Sequence, residues 1–128
     1  MQPVNVMLPV GDITAAVAFY DRALGFARGG LAQAADGTPT YADLRHGASV
    51  IMLVPRQGDA AAGGSGSARL YVYVEDVDRL VAHARAVGVT ITDPQDQPWG
   101  DRTASFADPD GHQWTVATFK KLVPFEPA

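Results

Sequence analysis

Hydrophobic and polar positions alternate at the start of the chain and then change to a helical spacing. Residues 3–9 alternate with a period of two, which predicts a strand with one buried face. Asp12 then provides an N-cap, and apolar residues at helical spacing predict a helix over 13–24 that ends at Gly25. The chain therefore opens with a strand followed by a helix.

The same pattern returns in the second half of the chain. Residues 69–74 alternate again, and Asp76 precedes a predicted helix over 77–87 that ends at Gly88. The offset between the two copies is 64 residues, which maps Asp12 onto Asp76. A fixed offset of this kind indicates an internal repeat.

Two turn glycines, Gly47 and Gly111, repeat at the same offset of 64 residues. Each is followed by a predicted strand, over 49–54 in the first copy and 112–119 in the second. Further strands are predicted over 27–34, 39–45, 89–95 and 102–107. Each half of the chain then has the order strand, helix and three strands.

This repeat predicts an α+β fold of two tandem βαβββ modules. Each module has one helix to cover its sheet, so the two should form one cup-shaped mixed β-sheet with the helices on the outer face. We assign residues 1–128 to a single domain, with module 1 over 1–57, a linker over 58–67 and module 2 over 68–128. An unrelated α+β sandwich with an accidental repeat is the alternative.

Composition narrows the range of partners. Ten Lys and Arg against fourteen Asp and Glu give a net charge of -4, which argues against nucleic acid and anionic membrane surfaces. The chain has no cysteine, so disulfides and thiolate zinc sites are excluded, as is typical of a cytoplasmic protein. No basic segment followed by a long apolar run opens the sequence, so neither a signal peptide nor a membrane span is expected.

Two segments of the chain resemble a known superfamily. The opening VNVMLPVGDITAAVAFYDRALGF and the ending WGDRTASFADPDGHQWTVATF resemble the vicinal oxygen chelate superfamily, which includes glyoxalase I, extradiol dioxygenases and the bleomycin and mitomycin resistance proteins. The stretch QPWGDR, followed by DPDGH, is closest to the antibiotic-resistance members. The resemblance implies the cup-shaped fold and a homodimer.

The resemblance also implies where a metal would be held. Enzymes of the superfamily bind one divalent ion through His, Gln or Glu at four strand positions, which the motifs place at Asn5, Ile51, Arg69 and Thr115. Ile51 has no lone pair, and Arg69 would bring a fixed positive charge to the place of the metal. We therefore expect no metal, no cofactor and no catalytic residue.

The same four positions determine which side chains face the cup, because residues two apart on a strand share a face. The inward set is aromatic and apolar with a few polar side chains, the usual composition of a small-molecule pocket. It comprises Asn5, Met7, Ser49, Ile51, Leu53, Arg69, Tyr71, Tyr73, Gln113, Thr115 and Ala117.

Five side chains are the main candidates for ligand contacts. Arg69 would clamp an anion or acceptor, or be satisfied by acidic side chains or carbonyls of the protein. Tyr71 and Tyr73 would stack on a flat ligand, or simply pack on the sheet. Trp99 would flank the mouth of the site or plug a dimer interface, and Arg102 would assist it or form a solvated salt bridge.

The sequence predicts metal-independent binding of a small aromatic or acidic molecule in the cup, with sequestration of a toxin or antibiotic as the role. The histidines His46, His83 and His112 are expected in surface or structural positions, and no acid and base pair is evident. A metal-dependent glyoxalase-like lyase, isomerase or dioxygenase, with its metal held by His46, His112 or a carboxylate, is the alternative. A non-catalytic interaction module is the second alternative.

Overall fold

The computed structural model describes residues 4–56 and 67–124, and this part of the chain contains two α-helices and eight β-strands. Their order is β1 (Val6–Val10), α1 (Ile13–Leu24), β2 (Ala27–Gln33), β3 (Pro39–His46), β4 (Ser49–Pro55), β5 (Arg69–Tyr73), α2 (Val77–Ala86), β6 (Gln95–Asp96), β7 (Asp101–Ala107) and β8 (Gln113–Phe119). The predicted α+β fold of two tandem βαβββ modules is therefore confirmed. Of the predicted linker, only Ser67 lies within the described residues.

The strands of each module pair in the same way. The first sheet has the strand order β1-β4-β3-β2 and the second has the order β5-β8-β7-β6. In each sheet the module's first strand runs parallel to its last strand, and the remaining pairs are antiparallel. The described residues fall into two compact units, the first reaching to Ala68 and including Asp108–His112, the second comprising Arg69–Ala107 and the residues from Gln113 onward.

Both helices begin at the predicted N-caps. The Asp12 side chain accepts a hydrogen bond of 3.0 Å from the backbone N–H of Ala15, and Asp76 accepts one of 3.1 Å from that of Arg79. These bonds satisfy backbone donors that a helix N-terminus leaves free. In the described ranges, neither helix is long and apolar enough to cross a membrane.

Ile51 lies on the helix-covered face of the first sheet, so the expectation that it faces the ligand is wrong. It pairs with Val6 of β1 and Leu44 of β3, and it is only 3% exposed. Leu53 is also buried in this core, and Ser49 shares the same face of β4. Met52 therefore takes the open face, a term we use for the side of each sheet away from its own helix.

The physical reason for this error is the length of the hairpin loop before the last strand of each module. In the first module the pairing runs to His46 and Ser49, which leaves a loop of two residues. In the second module it stops at Ala107 and Gln113, which leaves the five residues Asp108–His112. Matching the turn glycines therefore misplaces β4 by one residue, and a slip of one residue reverses the face of every side chain.

The strand predicted over 89–95 is also largely wrong, because only Gln95–Asp96 pairs as a strand. Val89 and Ile91 within this range are buried, but they do not belong to a sheet ladder. Pro94 cannot donate a backbone hydrogen bond, so it favours an irregular segment at this point.

A buried hydrogen-bonded cluster stabilises the first unit around Asp108. The Asp108 carboxylate accepts hydrogen bonds from the Tyr20 hydroxyl and, at 2.8 Å, from the backbone N–H of His112. The fully buried His112 ring accepts at Nδ1 from the backbone N–H of Ala68, at 2.9 Å, and its Nε2 lies 2.7 Å from the Pro9 carbonyl oxygen. The turn at Asp108–His112 therefore has a structural role.

Removing the Tyr20 hydroxyl should destabilise the protein. We expect Tyr20→Phe to lower the free energy of unfolding by about 1–3 kcal/mol, because one oxygen of the buried Asp108 carboxylate would lose its donor. Urea denaturation measures the effect. Tyr41→Phe is the control, since its hydrogen bond to the Asp43 carboxylate is only partly buried, whereas Tyr20 is fully buried. An equal loss in both variants would contradict the importance of the Asp108 cluster.

Candidate functional site

The open face of the second sheet carries most of the predicted ligand-binding residues of the second module. Paired positions on neighbouring strands share a face, so the ladder arranges these side chains in rows. The rows are Arg69–Gln113–Ala107, Tyr71–Thr115–Ser105, Tyr73–Ala117–Thr103 and Phe119–Asp101. The positions implied by the resemblance, extended by strand alternation, therefore grouped these side chains correctly on one face of this sheet.

Two tyrosines on β5 converge on one carboxylate at the beginning of β7. The hydroxyl of Tyr71 donates to Oδ2 of Asp101 at 2.5 Å, and the hydroxyl of Tyr73 donates to the same oxygen at 2.8 Å. Their rings meet edge to face, with centroids 5.6 Å apart. Asp101 is only 3% exposed, so both tyrosines are anchored to a buried group.

A small side chain on β8 allows this arrangement. Strand β8 lies between β5 and β7, so the tyrosine side chains must cross it to reach Asp101. The residue paired with Tyr73 at the crossing is Ala117, which is fully buried although it lies on the open face. A larger side chain at this position would occupy the path of the tyrosine rings.

Trp99 joins the two tyrosines from the turn between β6 and β7. Its indole Nε1–H donates to the Tyr71 hydroxyl oxygen at 3.0 Å. Gly100 closes this turn by donating its backbone N–H to the Gln97 carbonyl oxygen at 3.0 Å. We call the rings of Tyr71, Tyr73 and Trp99 the aromatic platform.

The aromatic platform is ordered by hydrogen bonds and yet remains accessible. Tyr71 is 46% exposed, Tyr73 is 60% exposed and Trp99 is 53% exposed. Burial, followed by the hydrogen bond to Asp101, raises the pKa of Tyr71 above its usual value. The pKa of Tyr73 is raised mainly by its own hydrogen bond to Asp101. Both hydroxyls therefore stay protonated, and remain donors to Asp101, at neutral pH.

Replacing Asp101 with asparagine should lower these tyrosine pKa values. The change should be larger for Tyr73, whose pKa depends mainly on the Asp101 hydrogen bond, than for Tyr71, whose pKa depends first on burial. Stability should also respond, since a tyrosine with a raised folded-state pKa contributes stability below pH about 10 that is lost at higher pH. Ultraviolet absorbance during alkaline titration measures the change, and identical curves for the two proteins would contradict it.

Arg69, Gln113 and Thr115 extend the open face away from Asp101. Arg69 and Gln113 are exposed and occupy the same row, and no carboxylate among the described residues forms an ion pair with Arg69. Thr115 lies beside Tyr71, and its hydroxyl is 3.3 Å from that of Ser105. These side chains therefore continue the open face beside Tyr71.

Arg102 lies on the other face of β7, so its assignment to the ligand site is corrected. It pairs with Thr118, whereas its neighbour Asp101 lies on the open face. Its guanidinium binds the Asp78 carboxylate at 2.9 and 3.0 Å and the Asp96 carboxylate at 3.1 Å. Two roles were considered for Arg102, assistance to Trp99 at the ligand site and a salt bridge. The structure shows the salt bridge.

The remaining candidates belong to the first unit. Met7 lies on the open face of the first sheet, where it pairs with Met52, and it is largely exposed. Asn5 precedes β1 and is also exposed. Met52, not Ile51, is the structural counterpart of Thr115. Met52 pairs with Met7 and Thr115 pairs with Tyr71, and Met7 and Tyr71 are equivalent at the 64-residue offset.

Comparison with known proteins identifies the family. The sequence profile of the Glyoxalase/Bleomycin resistance protein/Dioxygenase superfamily matches residues 2–116. The chain belongs to this superfamily. The two βαβββ modules described above are the corresponding fold.

Several proteins of known sequence or structure are similar to this member of the superfamily. TioX from Micromonospora is 31% identical, with a TM-score of 0.74 over 91% of this chain and 99% of its own. TnmS3, an antibiotic binding protein from Streptomyces, is 27% identical, with a TM-score of 0.73 over 94% of this chain and 99% of its own. The uncharacterized protein Mb0911c of Mycobacterium bovis is 33% identical over 85% of this chain and 78% of its own length.

The residues at the superfamily's metal-ligand positions do not fit a divalent metal. With the register of β4 corrected, the positions that the family resemblance implies for metal ligands hold Asn5, Met52, Arg69 and Thr115. They provide one neutral amide, a soft thioether, a cation and a hydroxyl, whereas a divalent site needs converging imidazole or carboxylate donors. Within residues 4–56 and 67–124, no group of three or more His, Asp or Glu is arranged to hold a metal.

None of the three described histidines belongs to a cluster of metal-binding side chains. Both ring nitrogens of His112 already face backbone groups, Ala68 N–H and the Pro9 carbonyl oxygen. His46 is exposed at the end of β3, and His83 is exposed on α2.

Asp101 and Phe119 were not among the site residues predicted from the sequence. Asp101 anchors both tyrosines, and the exposed Phe119 pairs with it on the same face. The sequence does contain the alternation that would have identified Asp101. Positions two apart on this strand are Asp101, Thr103 and Ser105, and they alternate with Arg102, Ala104 and Phe106. Extending the predicted strand over 102–107 by one residue would have placed the carboxylate on the open face.

Proposed function

We propose that this protein binds a planar aromatic molecule on the open face of its second sheet without using a metal, and that it thereby sequesters a toxic compound or antibiotic. The aromatic platform of Tyr71, Tyr73 and Trp99 is the observation that carries this proposal. Three accessible rings linked by hydrogen bonds offer stacking and edge-to-face contacts to a flat ligand.

Order in the unbound site favours binding. Immobilising a flexible side chain on association costs about 0.5–1.5 kcal/mol. Tyr71 and Tyr73 are already anchored through the buried Asp101, and Trp99 is anchored through Tyr71. A ligand would therefore meet rings whose rotamers are restricted beforehand, and more of its contact energy would appear as affinity.

The comparisons support a binding role without specifying the ligand. A protein described as antibiotic binding is similar to this chain over nearly its whole length, and the superfamily also contains enzymes. The poor metal donors at Asn5, Met52, Arg69 and Thr115 favour binding over metal-dependent catalysis. An acidic group on the ligand would find Arg69 two residues from Tyr71 on the same strand.

Isothermal titration against a panel of naphthoquinone, anthraquinone and indole antibiotics tests this proposal. We expect at least one compound to bind, and Trp99→Ala to weaken its affinity by about tenfold or more, as for removal of a stacking aromatic at a binding hot spot. Leu122→Ala, which removes an exposed apolar side chain outside the strands, is the control and should leave affinity unchanged. No binding across the panel, or equal affinity in wild type and Trp99→Ala, would overturn the proposal.

A cytoplasmic location remains a prediction. We also expect the protein to form a homodimer. The edge strand β2 is exposed along its whole length, and an uncovered strand edge offers unpaired backbone groups to another chain. Light scattering on the purified protein measures the mass, and a monomer at all concentrations would contradict the dimer.

A further inference from the structure

The hydrogen-bond donors of the aromatic platform are already used, two of them in bonds to Asp101 and one in a bond within the platform. Both tyrosine hydroxyls donate to Oδ2 of Asp101, and the Trp99 N–H donates to the Tyr71 oxygen. A phenolic oxygen still has acceptor capacity after it has donated its proton, and a carboxylate only accepts. The polar atoms that the platform can offer a ligand are therefore acceptors.

The charges around the platform also favour a ligand that donates hydrogen bonds. No Lys, Arg or His within the described ranges forms an ion pair with the buried Asp101. Lys120 and Lys121 line a neighbouring open cleft of about 530 Å³ together with Asp101, but neither lies within ion-pair distance of its carboxylate. The faces of the aromatic rings add further negative potential.

From this polarity we infer that the preferred ligand is an aromatic molecule with hydrogen-bond donors, a phenol or a protonated amine, directed at Asp101 and the tyrosine oxygens. A ligand with only ether or carbonyl oxygens at that edge would place acceptor against acceptor. This inference rests on the proposed binding of aromatic molecules, and it adds the chemistry that distinguishes one aromatic ligand from another.

A matched pair of probes tests the preference. We would titrate the protein with 7-hydroxycoumarin and with 7-methoxycoumarin at about pH 6, where the hydroxyl stays protonated. The two differ by one methyl group, which replaces the only strong donor. The hydroxyl compound should bind about tenfold more tightly or better, the range expected when a donor meets a charged acceptor.

Two variants show whether Asp101 and its tyrosines set the preference. Asp101→Asn should reduce the affinity ratio of the two coumarins to about threefold or less, because the acceptor loses its charge and gains donors. Tyr73→Phe removes one acceptor without changing the charge, and it should reduce the ratio even if Asp101→Asn fails to fold. Glu75→Gln removes one negative charge from an exposed site and should leave the ratio unchanged.

Failure of the donor preference and failure of the proposed function give different outcomes. Equal binding of the two coumarins, or a ratio unaffected by both Asp101→Asn and Tyr73→Phe, would overturn the donor preference while leaving aromatic binding intact. Tighter binding of the methoxy compound would reverse the inferred polarity. If neither coumarin bound, the aromatic platform would not be a general site for aromatic molecules, and the inference would be lost with it.

Discussion

Replacing Gly100 with alanine is expected to cost about 2–4 kcal/mol of stability and to weaken aromatic binding about tenfold or more. Gly100 has φ of 103°, a conformation that favours glycine, and a Cβ here would lie 2.0 Å from the Lys121 carbonyl oxygen. The Gly100 carbonyl oxygen also accepts hydrogen bonds from the backbone N–H groups of Lys120 and Lys121. Relief of the collision would therefore shift the turn that holds Trp99.

Gly88→Ala provides the matched control for this prediction. Gly88 also has a positive φ, of 89°, but a Cβ there would meet nothing within 4 Å. It should cost about 1 kcal/mol from backbone strain alone and leave ligand affinity unchanged. Urea denaturation and ligand titration of both variants measure the effects. If Gly100→Ala behaved like Gly88→Ala, the close packing of the Trp99 turn would be contradicted.

Ile51→Ala should destabilise the protein by about 2–5 kcal/mol, whereas Met52→Ala should cost clearly less. The Ile51 side chain is buried under α1, so its truncation leaves a cavity in the core, while Met52 lies on the open face and is partly exposed. Chemical denaturation of the two variants measures the difference. A larger loss for Met52→Ala would mean that the register of β4 is reversed.

The fold could be predicted from the sequence because the evidence for it was repeated. The N-caps at Asp12 and Asp76 and the alternating strands beside them recur at a constant offset, so each copy supports the other. Where the copies differ, the prediction failed. The loop before β4 has two residues and the loop before β8 has five, and turn glycines alone do not show this difference.

The candidate site was only partly predictable for a different reason. Tyr71, Tyr73 and Trp99 could be named from strand alternation and from a family motif. Their connection through Asp101 depends on side chains that cross a strand, a contact between residues 28 and 30 positions apart. Periodicity assigns a residue to a face but does not say which side chains reach each other across it. The role of Asp101 therefore required the structure.

The structure changes the expected ligand rather than the expected class of function. From the sequence, Arg69 was expected to bind an acidic or acceptor group of the ligand. The side chains that the structure brings together are instead three aromatic rings around a buried carboxylate. Arg69 lies at the other end of β5 from Tyr73, so an acidic group could still be bound there while a donor reaches Asp101.

Fluorescence of a single-tryptophan protein tests the central claim most directly. The chain has two tryptophans, and Trp114→Phe removes the buried one that stacks on Phe106, leaving Trp99 as the reporter. Chelator-treated Trp114→Phe protein would be titrated with 7-hydroxycoumarin. We predict saturable quenching of Trp99 emission, with the same affinity after Zn²⁺ or Mn²⁺ is added. Quenching that requires added metal, or none at all, would contradict metal-independent binding on the aromatic platform.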